Sequence, residues 1–179
     1  LADEDRQLQD AKDIVEFQHY FAEMLDRLRD NPQDNIISDL ANAKIDEGRL
    51  LTKAEALGML QQILVAGNET STNAISGGVV LLIQNPQQQQ RLRESPEHVL
   101  TAVEEILRLE SPTTGMWRRV TCDTEMGGVE IPEGSMVMVR YEAANRDECV
   151  FSDPEKMDVL RSNAKDHLAF GQGIHFCLG

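Results

Sequence analysis

The stretch whose reading decides the fold is Phe170-Gly171-Gln172-Gly173-Ile174-His175-Phe176-Cys177-Leu178-Gly179. Glycines at 171, 173 and 179 permit tight or left-handed turns and leave the backbone bare. Peptide N–H groups can then point at one sulfur, and a large flat ligand can approach it closely. A thiolate metal ligand requires that environment. A free cysteine is more often a small buried hydrophobe, and a lone Gly-x-Gly is common in loops, so Cys177 gains meaning only in company.

The company lies upstream. A helical pattern runs from residue 52 to 84, about 50 Å at 1.5 Å per residue, before Asn85-Pro86 stops it. Thr52-Lys53-Ala54-Glu55 reads as a capping box at its start. Its middle, Ala66-Gly67-Asn68-Glu69-Thr70-Ser71-Thr72, puts a glycine and a polar cluster where a buried helix favours Leu or Ala. Glycine there costs roughly 1 kcal/mol against alanine, so a compensating role is expected. A later helix, opened by Ser95-Pro96, carries Glu105 and Arg108 three apart and therefore on one face. A surface pair of that kind contributes a few tenths of a kcal/mol. Ile106 and Leu107 flank this one, and Arg161 can bring a second guanidinium to a buried network.

The remaining pattern is mainly α with a small β region. Leu8, Ile14, Phe17, Phe21, Leu25 and Leu28 recur at helical steps over residues 5–29, ended by Asn31-Pro32. A shorter helix is expected over residues 36–43, and a Gln-rich one from Asn85-Pro86. After Pro112, strands are expected at residues 116–121, 129–131 and 136–139, with Gly127-Gly128 and Pro132-Glu133-Gly134 as turns. Residues 143–167 hold no period and read as a packed meander.

Composition sets bounds. The 179 residues are 41% hydrophobic and carry a formal charge of −14. One folding unit spanning residues 1–179 is expected, and a nucleic-acid partner is excluded by the scarcity of Lys and Arg. Cys122, Cys149 and Cys177 are odd in number and far apart, which suits a reducing cytoplasm. The longest apolar run, residues 79–83, falls far short of the roughly 20 that span a bilayer. With no initiator Met and an end directly after its most informative loop, the chain reads as an internal segment.

Four motifs in register carry a resemblance: Ala66-Gly67-Asn68-Glu69-Thr70-Ser71, Glu105-Ile106-Leu107-Arg108, Ala144-Asn145-Arg146-Asp147, and Phe170 to Gly179. Together they resemble the cytochrome P-450 family of haem-thiolate monooxygenases over nearly the whole chain. The F-G-x-G-x-H-x-C-x-G spacing is the most specific part. The resemblance implies a partial P-450 fold, the central and C-terminal part: long distal helix, Glu-x-x-Arg helix, short antiparallel strands, meander and cysteine loop. The family's N-terminal part and the helix after the cysteine loop lie outside these residues.

The same resemblance implies haem b (iron protoporphyrin IX), with Cys177 as the thiolate ligand of its iron. Phe170 would pack beside the sulfur, and Gly171 and Gly173 would shape the loop. Glu69 and Thr70 take the acid-threonine positions beside the oxygen site, with Gly67 leaving space for ligand. Thr70 would donate a hydrogen bond to dioxygen while Glu69, or water ordered by it, relays protons. A hydroxyl bonded back to a carbonyl one turn earlier is the common alternative for Thr70 and can coexist. Arg118, with Arg119 beside it as the alternative, His167 and His175 are implied as propionate anchors. Glu105, Arg108 and Arg161 correspond to the family's structural network. Met157-Asp158 departs from the pattern, since members commonly show an aromatic before that Asp.

The implied activity is insertion of one oxygen atom from dioxygen into a small apolar substrate. Electrons would come from a ferredoxin or flavodoxin-like carrier and an NAD(P)H-dependent reductase. A haem-thiolate peroxygenase or isomerase is a rival, disfavoured by the presence of both Glu69 and Thr70. A zinc-binding module joining His175 and Cys177 to Cys122 or Cys149 is another, lacking the usual paired spacing. A third is a haem-free helical fragment whose uncovered apolar faces promote association.

Overall fold

The structure is a computed structural model and describes residues 3–179. Its contacts divide into two compact units, the first ending at Ala66 and the second covering Gly67–Gly179.

In the first unit, α1 (Glu4–Asp30) starts with the Asp3 carboxylate accepting from the Asp5 N–H. Only the C-terminal end of its apolar stripe is covered: Leu25 and Leu28 are buried, whereas Leu8 and Ile14 are exposed. α2 (Ile36–Asn42) is capped by Asn35, whose side chain accepts from the Ser38 N–H. A two-residue hairpin follows, β1 (Lys44–Ile45) against β2 (Arg49–Leu50). It was not expected from the sequence, because two-residue strands leave no alternation to detect. Leu25, Leu28, Ala41, Leu51, Ala56 and Leu60 form the core of this unit. Arg29 fastens it by donating to the carbonyls of Ala41 and Leu51 at 3.0 and 3.1 Å.

The long helix, α3 (Lys53–Gln84), runs unbroken through 32 residues. Its start is the expected capping box: the Thr52 N–H donates to the Glu55 carboxylate at 2.7 Å, and the Glu55 N–H donates to the Thr52 hydroxyl at 3.3 Å. Arg49 grips the same carboxylate with two bonds, of 2.9 and 3.0 Å. These contacts, the Arg49 bonds first and the Thr52 bonds next, hold the Glu55 carboxyl down at about 2.

In the second unit, α4 (Pro86–Glu94) and α5 (Val99–Glu110) follow the two Pro signals, the second through a 3-10 turn at Pro96–His98. α5 packs close to α3 because Gly78 has no side chain. A Cβ there would stand 2.9 Å from the Ile106 side chain. The core beneath α5 is Ala102, Leu109, Met157 and Val159, with Leu81, Leu82, Leu92 and Ile106 against it. Two antiparallel pairs follow: β3 (Gly115–Arg119) with β6 (Met136–Arg140), and β4 (Thr124–Met126) with β5 (Val129–Ile131) around Gly127-Gly128. β4 was not expected from the sequence. The short helix α6 (Tyr141–Ala144) then opens an irregular meander that ends in the cysteine loop.

Candidate functional site: the cysteine loop and its supports

The loop turns where the glycines allow it. Gly171 (φ +72°) and Gly173 (φ +81°) lie in the left-handed region that side chains disfavour. Gly171 is buried, and the Tyr141 hydroxyl stands 3.5 Å from where a Cβ would be. A 3-10 turn, Gly173–His175, leads to the cysteine. The loop is closed across its neck by the Cys177 N–H donating to the Phe170 carbonyl at 3.0 Å. The Cys177 thiol is free and exposed, 3.3 Å from the Gly179 carbonyl. Ile174 and Leu178, in the same loop, are almost wholly exposed, at 97% and 99%. Phe170 is half-buried, its ring 5.6 Å from the His167 ring and 6.2 Å from Phe176.

Behind the loop, the structure brings Glu105, Arg108 and Arg161 together. Glu105 and Arg108 are fully buried and Arg161 nearly so. Arg108 meets the carboxylate with two bonds of 2.7 and 2.9 Å, and Arg161 reaches it at 3.0 and 3.1 Å. The Asp158 N–H adds a further bond of 3.0 Å. The remaining guanidinium donors go to backbone: Arg108 to the carbonyls of Asn145 and Pro154, Arg161 to those of Ser152 and Lys156. One carboxylate thus collects two guanidinium groups, and both of those tie down the 152–156 stretch of the meander, with Arg108 holding Asn145 as well. Arg108 also lies over the Phe151 ring, 5.0 Å from its centroid.

The residues implied as propionate anchors fall in three different settings. Arg118 is exposed on β3, opposite Val137, and donates to the Trp117 carbonyl; Arg119, its alternative, is also exposed, opposite Met136. His175 is exposed on the turn before Cys177. His167 is buried, with both ring nitrogens engaged. Its Nδ1 accepts from the Ala169 N–H at 3.1 Å, so the ring proton sits on Nε2, which faces the Glu104 carboxylate at 3.1 Å. In this structure His167 joins α5 to the loop.

On α3, Glu69 is exposed and Thr70 half-buried, while a Cβ at Gly67 would meet nothing within 4 Å. Hydroxyl groups in this stretch do bond back one turn: Thr72 donates to the Asn68 carbonyl at 2.8 Å and Ser76 to the Thr72 carbonyl at 2.7 Å. Among the described residues no three of His, Cys, Asp and Glu gather into a metal-holding group. The zinc alternative therefore lacks its ligands.

Sequence reasoning did not single out Glu104, Tyr141 or the part played by Asn145. Asn145 stood in a quoted motif without a role. The other two became visible only through the loop residues they touch.

The comparisons with known proteins follow the same outline. The cytochrome P-450 profile matches residues 4–179. Linalool 8-monooxygenase of Pseudomonas putida is 41% identical over 169 residues, covering 94% of this chain and 41% of its own. Vitamin D(3) 25-hydroxylase of Pseudonocardia autotrophica is 40% identical over 161 residues, covering 89% of this chain and 40% of its own. A cytochrome P-450 of Bacillus megaterium, solved in complex with corticosterone, superposes with a TM-score of 0.93 at 37% identity over 100% of this chain and 48% of that one. The chain spans about two fifths of the length of the curated relatives it matches.

Proposed function

The chain belongs to the cytochrome P-450 family, and from that premise we propose that the whole protein is a haem-dependent monooxygenase. It would insert one atom of dioxygen into a small apolar substrate. The observation that carries the reading is Cys177: an unpaired, exposed thiol on a glycine loop closed by its own N–H.

The residues present fit haem b. The Cys177 thiol is free and exposed, and it belongs to no group of three or more His, Cys, Asp and Glu among the described residues, so it would offer the iron one sulfur ligand. At Gly173 and Gly179 a Cβ would meet nothing within 4 Å, which leaves the loop open to a flat ring. When bound, haem supplies the iron chemistry that activates dioxygen, with electron density pushed onto the metal by its thiolate ligand.

The chain's own residues do the rest. Cys177 would hold the iron, and Phe170, its ring 6.2 Å from that of Phe176, would pack beside the sulfur once haem is bound. Arg118, which also donates to the Trp117 carbonyl, and His175 are both exposed and would pair with propionates. His167 keeps its proton on Nε2 toward Glu104 and steadies the loop. Thr70 Oγ1 donates a hydrogen bond toward the oxygen site, Gly67 leaves the backbone bare beside it, and the exposed Glu69 carboxylate takes protons from solvent and passes them inward.

Electrons from a ferredoxin or flavodoxin-like carrier, fed by an NAD(P)H-dependent reductase, complete the reading. Three free cysteines suit a reducing cytoplasm, and no helix among the described residues is long and apolar enough to cross a membrane. The test uses the full-length protein with such a donor system. Thr70→Ala is expected to keep haem while diverting reducing equivalents into hydrogen peroxide; unchanged coupling of electrons to product would remove the proton relay.

A further inference from the structure

We propose that Asn145 is a positioning residue that sets the root of the cysteine loop against the C-terminal cap of α5. It belongs to the Ala144-Asn145-Arg146-Asp147 motif, to which the function above assigns no part. Asn145 is completely buried, and its polar groups are all paired. Its N–H donates to the Tyr141 carbonyl at 2.9 Å, and its carbonyl accepts from Arg108 at 2.7 Å. These bonds fix the backbone on the network.

The side chain reaches in two directions. Nδ2 donates to the Ser111 hydroxyl at 2.8 Å, where α5 ends in a left-handed cap with φ +41°. Oδ1 accepts from the Leu168 N–H at 2.6 Å. The Leu168 carbonyl in turn accepts from the Gly171 N–H at 2.9 Å, and the Phe170 carbonyl between them holds the Cys177 N–H at 3.0 Å. Hydrogen bonds and two short backbone steps thus run from the α5 cap through one amide to the thiol-bearing residue. Ser111 is secured in its own place by donating to the Arg108 carbonyl at 3.0 Å.

A primary amide of this length serves both contacts at once. It must donate at one end and accept at the other; an aspartate keeps the acceptor and loses the donor, and an alanine loses both. That difference separates two roles. If Asn145 only satisfies buried polar groups, Asn145→Asp, which buries a carboxylate, should do at least as much harm as Asn145→Ala. If the Leu168 bond positions the loop, Asp should preserve it, because its Oδ1 still accepts from the Leu168 N–H, while the Ser111 hydroxyl turns to the other oxygen and gives up its bond to the Arg108 carbonyl.

The proposal rests on the haem-thiolate reading, and the experiment separates the two. In full-length, haem-loaded protein the ferrous carbon-monoxide spectrum reports whether sulfur binds as thiolate. Asn145→Ala is expected to lower the ratio of thiolate- to thiol-ligated protein by about ten-fold, the scale of one orphaned buried N–H, with Asn145→Asp close to wild type. An Asn145→Ala protein indistinguishable from wild type, or an Asp variant that loses the thiolate form equally, overturns the proposal alone. A wild type without a thiolate signature overturns the haem reading and this proposal with it. If neither variant folds, amide hydrogen exchange of the wild type decides. Leu168 is expected to be protected like the core of α5; exchange as fast as at exposed Gln172 refutes the tie.

Discussion

Arg161 and Glu105 lie 56 residues apart in sequence, yet the Arg161 Nε–H is shared between both oxygens of the Glu105 carboxylate at 3.0 and 3.1 Å. Both side chains are buried, and Arg108 binds the same carboxylate from the other side. Removing the charge at the centre strands two guanidinium groups out of water. Breaking a buried pair costs on the order of 3–5 kcal/mol, a large part of a domain's stability. Glu105→Gln is expected to lower the unfolding free energy of the full-length protein, measured in urea, by that scale. Arg161→Lys keeps the charge but loses the fork to Ser152 and Lys156, and should cost less. Equal midpoints for wild type and Glu105→Gln would contradict the network's structural role.

Two glycines test how tightly the second unit is packed. A Cβ at Gly115 would stand 2.5 Å from the Val139 carbonyl oxygen, a backbone atom held by the β3–β6 ladder. Gly115→Ala should therefore destabilise by about 1–3 kcal/mol. At Gly77 the three atoms nearest the same position all belong to the Glu110 side chain, from its carboxylate to Cγ, and that flexible chain can swing away. Gly77→Ala is expected to be neutral or to gain up to about 1 kcal/mol from helix propensity. Thermal unfolding of the two variants checks the contrast, and a reversed order would refute it.

His167 and Glu104 should behave as one unit. Their 3.1 Å contact predicts a non-additive double-mutant cycle, with a coupling of roughly 0.5–3 kcal/mol between Glu104→Ala and His167→Ala in unfolding free energy. Strict additivity would mean that the pair is not formed. A His167 turned toward a propionate instead would show its coupling with haem loading and none with Glu104.

The cap of α3 carries a pH dependence with a definite sign. The Glu55 carboxyl is held down at about 2, against an ordinary 4.5, by Arg49 and Thr52. A lowered folded-state pKa contributes stability that is complete above the ordinary value and is lost as pH falls toward about 2. The carboxyl chemical shift of Glu55 followed by NMR should titrate well below the ordinary 4.5. Glu55→Gln should flatten the stability profile between those two pH values, and a Glu55 midpoint at the ordinary value would contradict the geometry.

Much of this was legible in the residues, for reasons that are local. Helix ends follow from caps and prolines: Thr52 with Glu55, Asn85-Pro86 and Ser95-Pro96 mark boundaries within four residues of where α3, α4 and α5 begin. The network was legible because Glu105 and Arg108 share a helical face. β4 was missed because Thr124–Met126 is short and becomes a strand only by pairing with β5 across Gly127-Gly128. The apolar stripe of α1 was read correctly as a helix, yet Leu8 is 57% exposed, since periodicity says which face is apolar and not what covers it. The roles of Asn145 and His167 depend on partners 23 to 63 residues away, and no spacing rule connects such positions.

Binding of haem iron by the Cys177 sulfur is tested most directly by the ferrous carbon-monoxide spectrum of the full-length protein beside its Cys177→Ser variant. The wild type is expected to show the thiolate-ligated band and the variant to lack it while still folding. A wild type without that band, or a Ser variant that retains it, would contradict the assignment of Cys177 and the monooxygenase reading built on it.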